Sequence, residues 1–304
     1  MDLDDFSKRI LTPAMSVLAA NIEADAYSMY KSVYNMIDSD TAAIDYLDIL
    51  DARRKLIENL APDADTFSCQ LTPFHVPKLL NDLKSLQNDP RLISQNYKEG
   101  MVASFAMTDF YQNTHATNHT SGTAVTGDTL YNVDGATEDG ATITVGTGTT
   151  TFLIGDVITI AGCNAVHPET KADLGYAQQF VITANSGTSA TSLSISPAIV
   201  VSGAKQNVSG YPTNGGAITK PGGTANSTQN TTMLYHKDAF TFATADLVMP
   251  QGMDFAAREV MDGISMRIVR AYDINNDQFP CRLDVLYGYK AIRPQLACRI
   301  HADA

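Results

Sequence analysis

Basic charge is scarce in this sequence: 21 Lys and Arg stand against 33 Asp and Glu, a formal net charge of −12. Duplex nucleic acid is gripped by clustered cations on its phosphates, so this balance argues against tight duplex binding and leaves open only enclosure without a grip. Cysteine is sparse too. Cys69, Cys163, Cys281 and Cys298 lie far apart and form no C-x-x-C pair, which points to free thiols and away from a disulfide or zinc framework. No run of about eighteen apolar residues occurs, which predicts no membrane-spanning helix. The acidic start MDLDDFSKR lacks the apolar segment of a signal peptide, so a reducing cytoplasm is the expected compartment. Signatures of catalysis are missing as well: there is no Walker-type phosphate loop, no H-E-x-x-H and no G-x-S-x-G.

What is present reads as a globular chain. Hydrophobic residues make up 44% of the 304 positions, enough for one large domain or two medium ones. Thr12 can cap a helix with Pro13 at its first position, and Leu11, Met15, Leu18, Ile22, Met29, Val33 and Ile37 recur at helical spacing. The pattern predicts one helix over Thr12–Ile37, roughly 35–40 Å long. Its second face carries Tyr27, Tyr30 and Tyr34 and is expected to be exposed. Either this helix is a spine lying across a sheet, or it is a long surface helix of an ordinary α+β protein.

Shorter helices are expected around Phe6–Leu11, from Thr41 to Leu60, over Phe74–Leu86 and at Ile93–Glu99. Extended pieces are expected at Thr66–Leu71 and Met101–Tyr111. From about Thr114 to Thr232 charge almost vanishes, and Thr, Ser, Gly and Asn surround short alternating segments. That is the pattern of an all-β barrel or sandwich, with HATNHTSGT and GGTANSTQNTT as its two polar, flexible connections. Afterwards Ala239–Met249, Ile264–Val269 and Cys281–Tyr289 read as strands, with Asp273–Asp277 as a turn. The later strands are expected to close the sheet under the spine.

Four near-motifs occur, and each has a plainer reading. The run from Val145 to Thr149 has two glycines of a dinucleotide loop and lacks the third, so it reads as a turn. His115 and His119 have metal-like spacing but sit among loop-forming residues, so they read as linker. The segment from Asp273 to Asp284 imitates a calcium loop but has Gln278 where glycine is needed. Asp254, Arg258 and Glu259 suit an ion pair between subunits or a solvated face better than a catalytic cluster. No cofactor is expected.

Three stretches together resemble the coat proteins of short-tailed bacteriophages, the major capsid proteins that carry an inserted β-domain. They are LDDFSKRILTPAMSVLAANIEADAYSMY, then FLIGDVITIAGCNAVHPETKADLGYAQQFVITA with LSISPAIV, and DFAAREVMDGISMRIVRAYDINNDQFPCRLDVLYGYKAIRPQLACRI. DARRKLIENLAP and Gln95-Asn96-Tyr97 fall between them in the family's order. The resemblance implies an α+β tailed-phage capsid fold, with a spine helix on a sheet, apical and peripheral domains, and an inserted all-β barrel-like domain. It divides the chain into residues 1–40 (peripheral, with the spine), 41–117 (apical), 118–232 (insert) and 233–304 (return to the shell domains). It implies a coat subunit that forms hexamers and pentamers of an icosahedral virion shell around double-stranded DNA. Scaffolding and portal proteins would be its partners, and assembly would take place in the bacterial cytoplasm. The candidate inter-subunit contacts are Tyr27, Tyr30, Tyr34, Asp254, Arg258, Glu259, Arg267 and Arg270. An N-terminal arm and an extended loop normally precede the spine, so either this is a shortened form or those elements come from elsewhere. A β-rich adhesin or carbohydrate-binding protein is the alternative reading.

Overall fold

The computed structural model describes residues 12–39, 44–62, 66–84, 104–125, 127–135, 137–146, 148–261 and 263–303, together with Arg9 and Val102. The helices expected around residues 6–11 and at 93–99 lie outside the described residues, as does the start of the one expected from Thr41. The chain divides into two compact units, residues 1–26 with 240–290, and residues 27–239 with 291–304.

In the first unit, helix α1 (Thr12–Tyr27) supplies its residues up to Ala26. The sequence predicts ten more helical residues, and the structure corrects this. A 3-10 turn follows over Ser28–Ser32, Val33 is extended, and Met36–Asp38 is strand β1. No glycine or proline stops the helix. The reason is burial: Val33, Tyr34, Asn35 and Met36 are four consecutive buried residues, and a helix buries one stripe, not every position. The same unit holds a separate antiparallel sheet in the order β12 (Phe240–Ala245), β15 (Cys281–Ala291), β14 (Ile264–Arg270), β13 (Phe255–Met261). These strands do not close the sheet of the second unit, as the sequence had suggested. Within this unit, Asp25 on α1 accepts hydrogen bonds from the Tyr287 and Tyr289 hydroxyls, both at 2.8 Å.

The second unit is built on a six-stranded sheet. Its order is β1, β16 (Ala297–Asp303), β11 (Thr228–Tyr235), β2 (Phe67–Leu71), β3 (Thr108–Gln112), with the short β4 (His119–Thr120) also on β11. β1 pairs parallel to β16, and β16 pairs antiparallel to β11 through Asn230↔Ala302, Thr232↔Ile300 and Leu234↔Cys298. Cys298, Ile300 and Ala302 alternate with Arg299 and His301, and all five are at most 2% exposed, so β16 is covered on both faces. Helix α2 (Tyr46–Glu58) packs on β16 and β1 through Ile49, Ala52 and Leu56, one helical stripe. Asp45 opens it with a capping box: its side chain accepts from Asp48 N (2.9 Å), and the Asp48 carboxylate accepts from Asp45 N (3.1 Å). Helix α3 (His75–Leu83) places His75 against Thr232, Nδ1 to Oγ1 2.8 Å.

A curled sheet follows in the order β5 (Gly127–Asn132), β10 (Ala217–Lys220), β7 (Val157–Val166), β8 (Asp173–Ile182), β9 (Ser192–Ile199), β6 (Gly140–Thr144). The two edges meet at the bridge Val133↔Val145, with Gly146 N donating to Asn132 O (2.8 Å) and Asp134 N to Thr144 O (3.0 Å). That closes a six-stranded barrel and removes its free edges. It has its own core of Tyr131, Ile143, Phe152, Ile158, Phe180, Leu193 and Ile218 among others. The barrel is entered and left through paired strands, since Gln229↔His119 and Thr228↔Thr120 lie side by side. Within the polar flanks expected to be flexible, residues 119–120 and 228–232 are strand. Gln229, Asn230, Thr231 and Thr232 are buried; Tyr27 Oη donates to Thr231 O at 2.6 Å, the Thr232 hydroxyl meets His75 Nδ1 and Gln229 Oε1 meets His301 Nδ1, while the Thr231 hydroxyl has no partner.

Ile22→Ala and Leu56→Ala should each cost about 2–5 kcal/mol in urea unfolding, and Phe180→Ala in the barrel about 3–5 kcal/mol. Val17→Ala, 62% exposed, should stay within about 0.5 kcal/mol of the parent. Equal losses at Val17 and Ile22 would contradict the orientation of α1.

Candidate functional site at the barrel seat

The barrel is seated on the sheet by one turn. Leu153-Ile154-Gly155-Asp156 closes with Asp156 N donating to Leu153 O (3.0 Å), and Gly155 holds φ +100° at its third position. That conformation needs glycine. A side chain there would also meet His119 Cε1 and the Lys31 stem, both 3.1 Å from an ideal Cβ. The turn aims two acceptors at the sheet. Asp156 Oδ1 accepts from His119 Nε2 at 2.9 Å, and Gly155 O accepts from Arg299 Nη2. The other carboxylate oxygen accepts from Gly122 N (3.0 Å) and Leu153 N (2.8 Å).

Burial decides the charge states. Desolvation pushes His119 below its ordinary value, only partly opposed by the Asp156 hydrogen bond, so the imidazole is neutral. With its Nε2 proton on Asp156, its Nδ1 faces the Tyr30 hydroxyl at 3.4 Å. Burial raises the Tyr30 phenol, which stays protonated. For Asp156 burial acts upward, but the bonds from His119 and Leu153 and the charge of Lys220 outweigh it, so it remains a carboxylate. Desolvation lowers Arg299 to about 10, still cationic near neutrality. His301, whose ring centroid lies 5.4 Å from that of His119, is held far below its ordinary value by burial and by Arg299. The group is a clasp. Each member keeps one protonation state near neutral pH, so it holds position and moves no proton.

A second tie lies on β8. Gln179 Oε1 accepts from Met36 N (2.8 Å) and Lys55 Nζ (2.8 Å), while its Nε2 donates to Met36 O (2.9 Å). The side-chain amide thus treats the edge of β1 as a neighbouring strand would. Tyr176 Oη donates to Glu58 Oε2 at 2.8 Å beside it. A cleft of about 310 Å³ opens next to the clasp, lined by Tyr30, Lys31, Asn118, His119, Leu153 and Asn185.

The residues singled out from sequence fall in two places. Tyr27, Tyr30 and Tyr34 are 4%, 1% and 8% exposed, which corrects the outward face expected of them: Tyr27 is the last residue of α1 and is itself buried, and Tyr30 and Tyr34 lie beyond the helix. Arg258, Glu259 and Arg267 come together on β13 and β14 of the other unit. There Arg258 stands opposite Arg267 and Arg267 opposite Asp284. The like charges are relieved by carboxylates, Arg258 by Asp246 at 3.3 Å and Arg267 Nε by Asp284 at 3.2 Å. Asp254 is exposed, and exposed Arg270 lies 5.6 Å over the Phe279 ring.

His119, which the sequence places in a linker, is a buried strand residue, with Asp156 and Tyr30 meeting its two ring nitrogens. Asp156, Gln179, Arg299 and His301 were missed. The signal for the last two was present in Ala297-Cys-Arg-Ile-His-Ala302, where polar residues alternate with small apolar ones at strand period. Among the described residues no group of three or more His, Cys, Asp or Glu is placed to hold a metal ion.

The family model described as P22 coat protein, gene protein 5, matches residues 3–299. Among solved structures the chain is similar to one from Mycobacterium phage Che8, at 8% identity and a TM-score of 0.45, over 99% of this chain and 67% of that one. It is also similar to the CUS-3 coat protein I-domain, at 32% identity and a TM-score of 0.22, over 30% of this chain and 93% of that one. None of the curated proteins matches it.

His75, His119 and His301 are neutral in the folded chain with lowered values, His75 at about 4, and in the unfolded chain they protonate below about 6.5. The unfolded state therefore binds more protons as pH falls, and stability should be full above pH 6.5 and decline toward pH 4. Urea midpoints measured across that range check it, and a flat profile would contradict neutral buried histidines. At neutral pH, Asp156→Ala should cost about 3–5 kcal/mol, because it strands His119 Nε2, Gly122 N and Leu153 N and removes a negative charge that favours the buried Arg299 cation.

Proposed function

Since this chain belongs to the P22 coat protein family, and so is a major capsid subunit that joins its own copies into the capsomers of a virion shell, we propose that self-association is its whole work and that it catalyses nothing. The observation that carries this reading is the surface of the first unit. Its strands and loops leave Val248, Phe255, Val260, Ile274, Phe279 and Leu286 between 47% and 83% exposed in the single chain. Apolar surface of that extent, interleaved with Arg258, Arg267 and Arg270, suits contacts between copies. Asp254, Arg258, Glu259, Arg267 and Arg270 are the proposed charged contacts. Tyr27, Tyr30 and Tyr34, being interior, act by fixing the shape of the subunit.

The subunit works with a scaffolding protein and a portal, assembles in the bacterial cytoplasm, and encloses DNA without reading it. A net charge of −12 supports the last point, because a wall short of cations lets phosphate slide. The division into residues 1–40, 41–117, 118–232 and 233–304 belongs to the same proposal, with the insert folding independently on its separate core.

Coat subunit co-expressed with the scaffolding protein of its phage should give uniform closed shells by electron microscopy. Subunits that stay monomeric under every assembly condition would end this reading. Residues 120–230 expressed alone should melt cooperatively with a β-type circular dichroism spectrum. A coil-like fragment would remove the independent insert.

A further inference from the structure

We propose that Asn214-Gly215 is a deamidation site gated by the barrel seam. The closed barrel withholds the attacking nitrogen, and an opened barrel releases it and is marked irreversibly.

This is the only Asn-Gly pair in the 304 residues, and both members are exposed in the turn that leads into β10. Gly216 N donates to Thr213 O at 2.8 Å, and Gly215 holds φ +73° at the third position, the type II turn that glycine permits. With no Cβ on the following residue, little hinders its main-chain nitrogen from reaching the asparagine carboxamide. In the reaction Gly215 N bonds to Asn214 Cγ and the Cγ–Nδ2 bond breaks. Nδ2 departs as ammonia with the proton from Gly215 N. Solvent water then opens the cyclic imide. Cleavage between Gly215 N and Cγ leaves aspartate, and cleavage between Gly215 N and the Asn214 carbonyl carbon leaves isoaspartate.

The seam controls the nucleophile. Gly215 N donates to Val133 O at 2.8 Å, and Val133 N donates to Gly216 O at 2.9 Å. The same Val133 makes the bridge to Val145 that closes the barrel. Asn214 Oδ1 accepts from Gly135 N at 3.2 Å, across the same joint. That bond polarises the carboxamide, but attack needs a nitrogen free of its proton, and Gly215 N keeps its proton on a carbonyl while the seam is shut. Asp134-Gly135 is a second labile pair, and its attacking nitrogen is the one that Asn214 Oδ1 occupies. Each pair therefore guards the other.

The seam is also the joint that opens most readily. It consists of one bridge flanked by the bonds from Gly146 N to Asn132 O and from Asp134 N to Thr144 O. By contrast, β7 and β8 are ten residues long each and pair from Val157↔Val181 to Val166↔Asp173. A joint of so few bonds opens locally without unfolding the rest. Isoaspartate then lengthens the main chain inside the turn and shifts the Gly215–Val133 and Gly216–Thr213 bonds out of register, so the mark opposes reclosure.

Conversion should follow the open population multiplied by the rate in the unfolded chain. The full chain is incubated in mildly alkaline buffer, with and without denaturing urea, and Asn214 is followed by peptide mass spectrometry that separates aspartate from isoaspartate. Conversion should be at least about tenfold slower in the folded chain than in urea, with hydrogen exchange at Gly215 slowed to a similar degree. Val145→Ala, which loosens the seam and leaves the turn untouched, should speed conversion in buffer at least about threefold and leave the urea rate unchanged. Equal rates in buffer and urea, no conversion in urea, or fast conversion beside a protected Gly215 amide would overturn the gate. So would a Val145→Ala chain whose melting temperature falls while conversion stays at the parent's rate.

Discussion

A buried imidazole on a buried carboxylate sets much of the second unit. His119 and Asp156 both lie out of water, and an isolated charge there would be costly. The fold meets that cost with three donors on the carboxylate and with Arg299 held at the neighbouring carbonyl of Gly155. Each partner comes from a different element: His119 from β4, Leu153 and Asp156 from the turn before β7, Gly122 from the entry loop, Arg299 from β16. Seating the barrel, closing its entrance and covering β16 are thus one event. Such a cluster is weak as a net source of stability and strong as a constraint, because losing any partner strands the others. A carboxylate with three donors also admits few orientations, so the barrel has one way to sit.

The sheet beneath is arranged for that load. β16 carries Cys298, Ile300 and Ala302 alternately with Arg299 and His301, so its polar residues point to one face and its small apolar ones to the other. Helix α2 takes β16 and β1 through one stripe of Ile49, Ala52 and Leu56, while Gln179 of the barrel reads the free edge of β1 through Met36. The buried thiols fit the same pattern: burial raises Cys163 to about 12 and Cys298 to about 11, so they behave as small apolar fillers.

The first unit follows a different economy. Arg267 pairs with Asp284 across neighbouring strands, Arg258 makes an exposed pair with Asp246 of the kind that contributes little to stability, and large apolar side chains are left in the open. For a monomer that would be a liability; under the shell-forming reading proposed above it is surface left for other copies.

Much of this was written in local pattern. Thr12-Pro13 marks the start of α1, alternation marks the barrel strands, and the loss of charge after Thr114 marks the change to all-β structure, because capping and periodicity are properties of neighbouring residues. The resemblance to the coat family was also legible in the three stretches that carry it, and the match over residues 3–299 agrees. The clasp was not legible. His119, Asp156 and Arg299 are separated by 37 or more positions, and a lone histidine among Asn and Thr reads as loop until something distant buries it. The end of α1 was hidden for the same reason. Nothing between Ala14 and Ala61 breaks a helix, yet Asn35 is drawn into the backbone of Gln295 and Ala297 at 3.1 Å each, and the chain extends to meet them. The sequence by itself determined which segments are helix-forming, strand-forming and apolar; only the tertiary structure decided where α1 stops and which polar groups go inside, because both depend on partners remote along the chain.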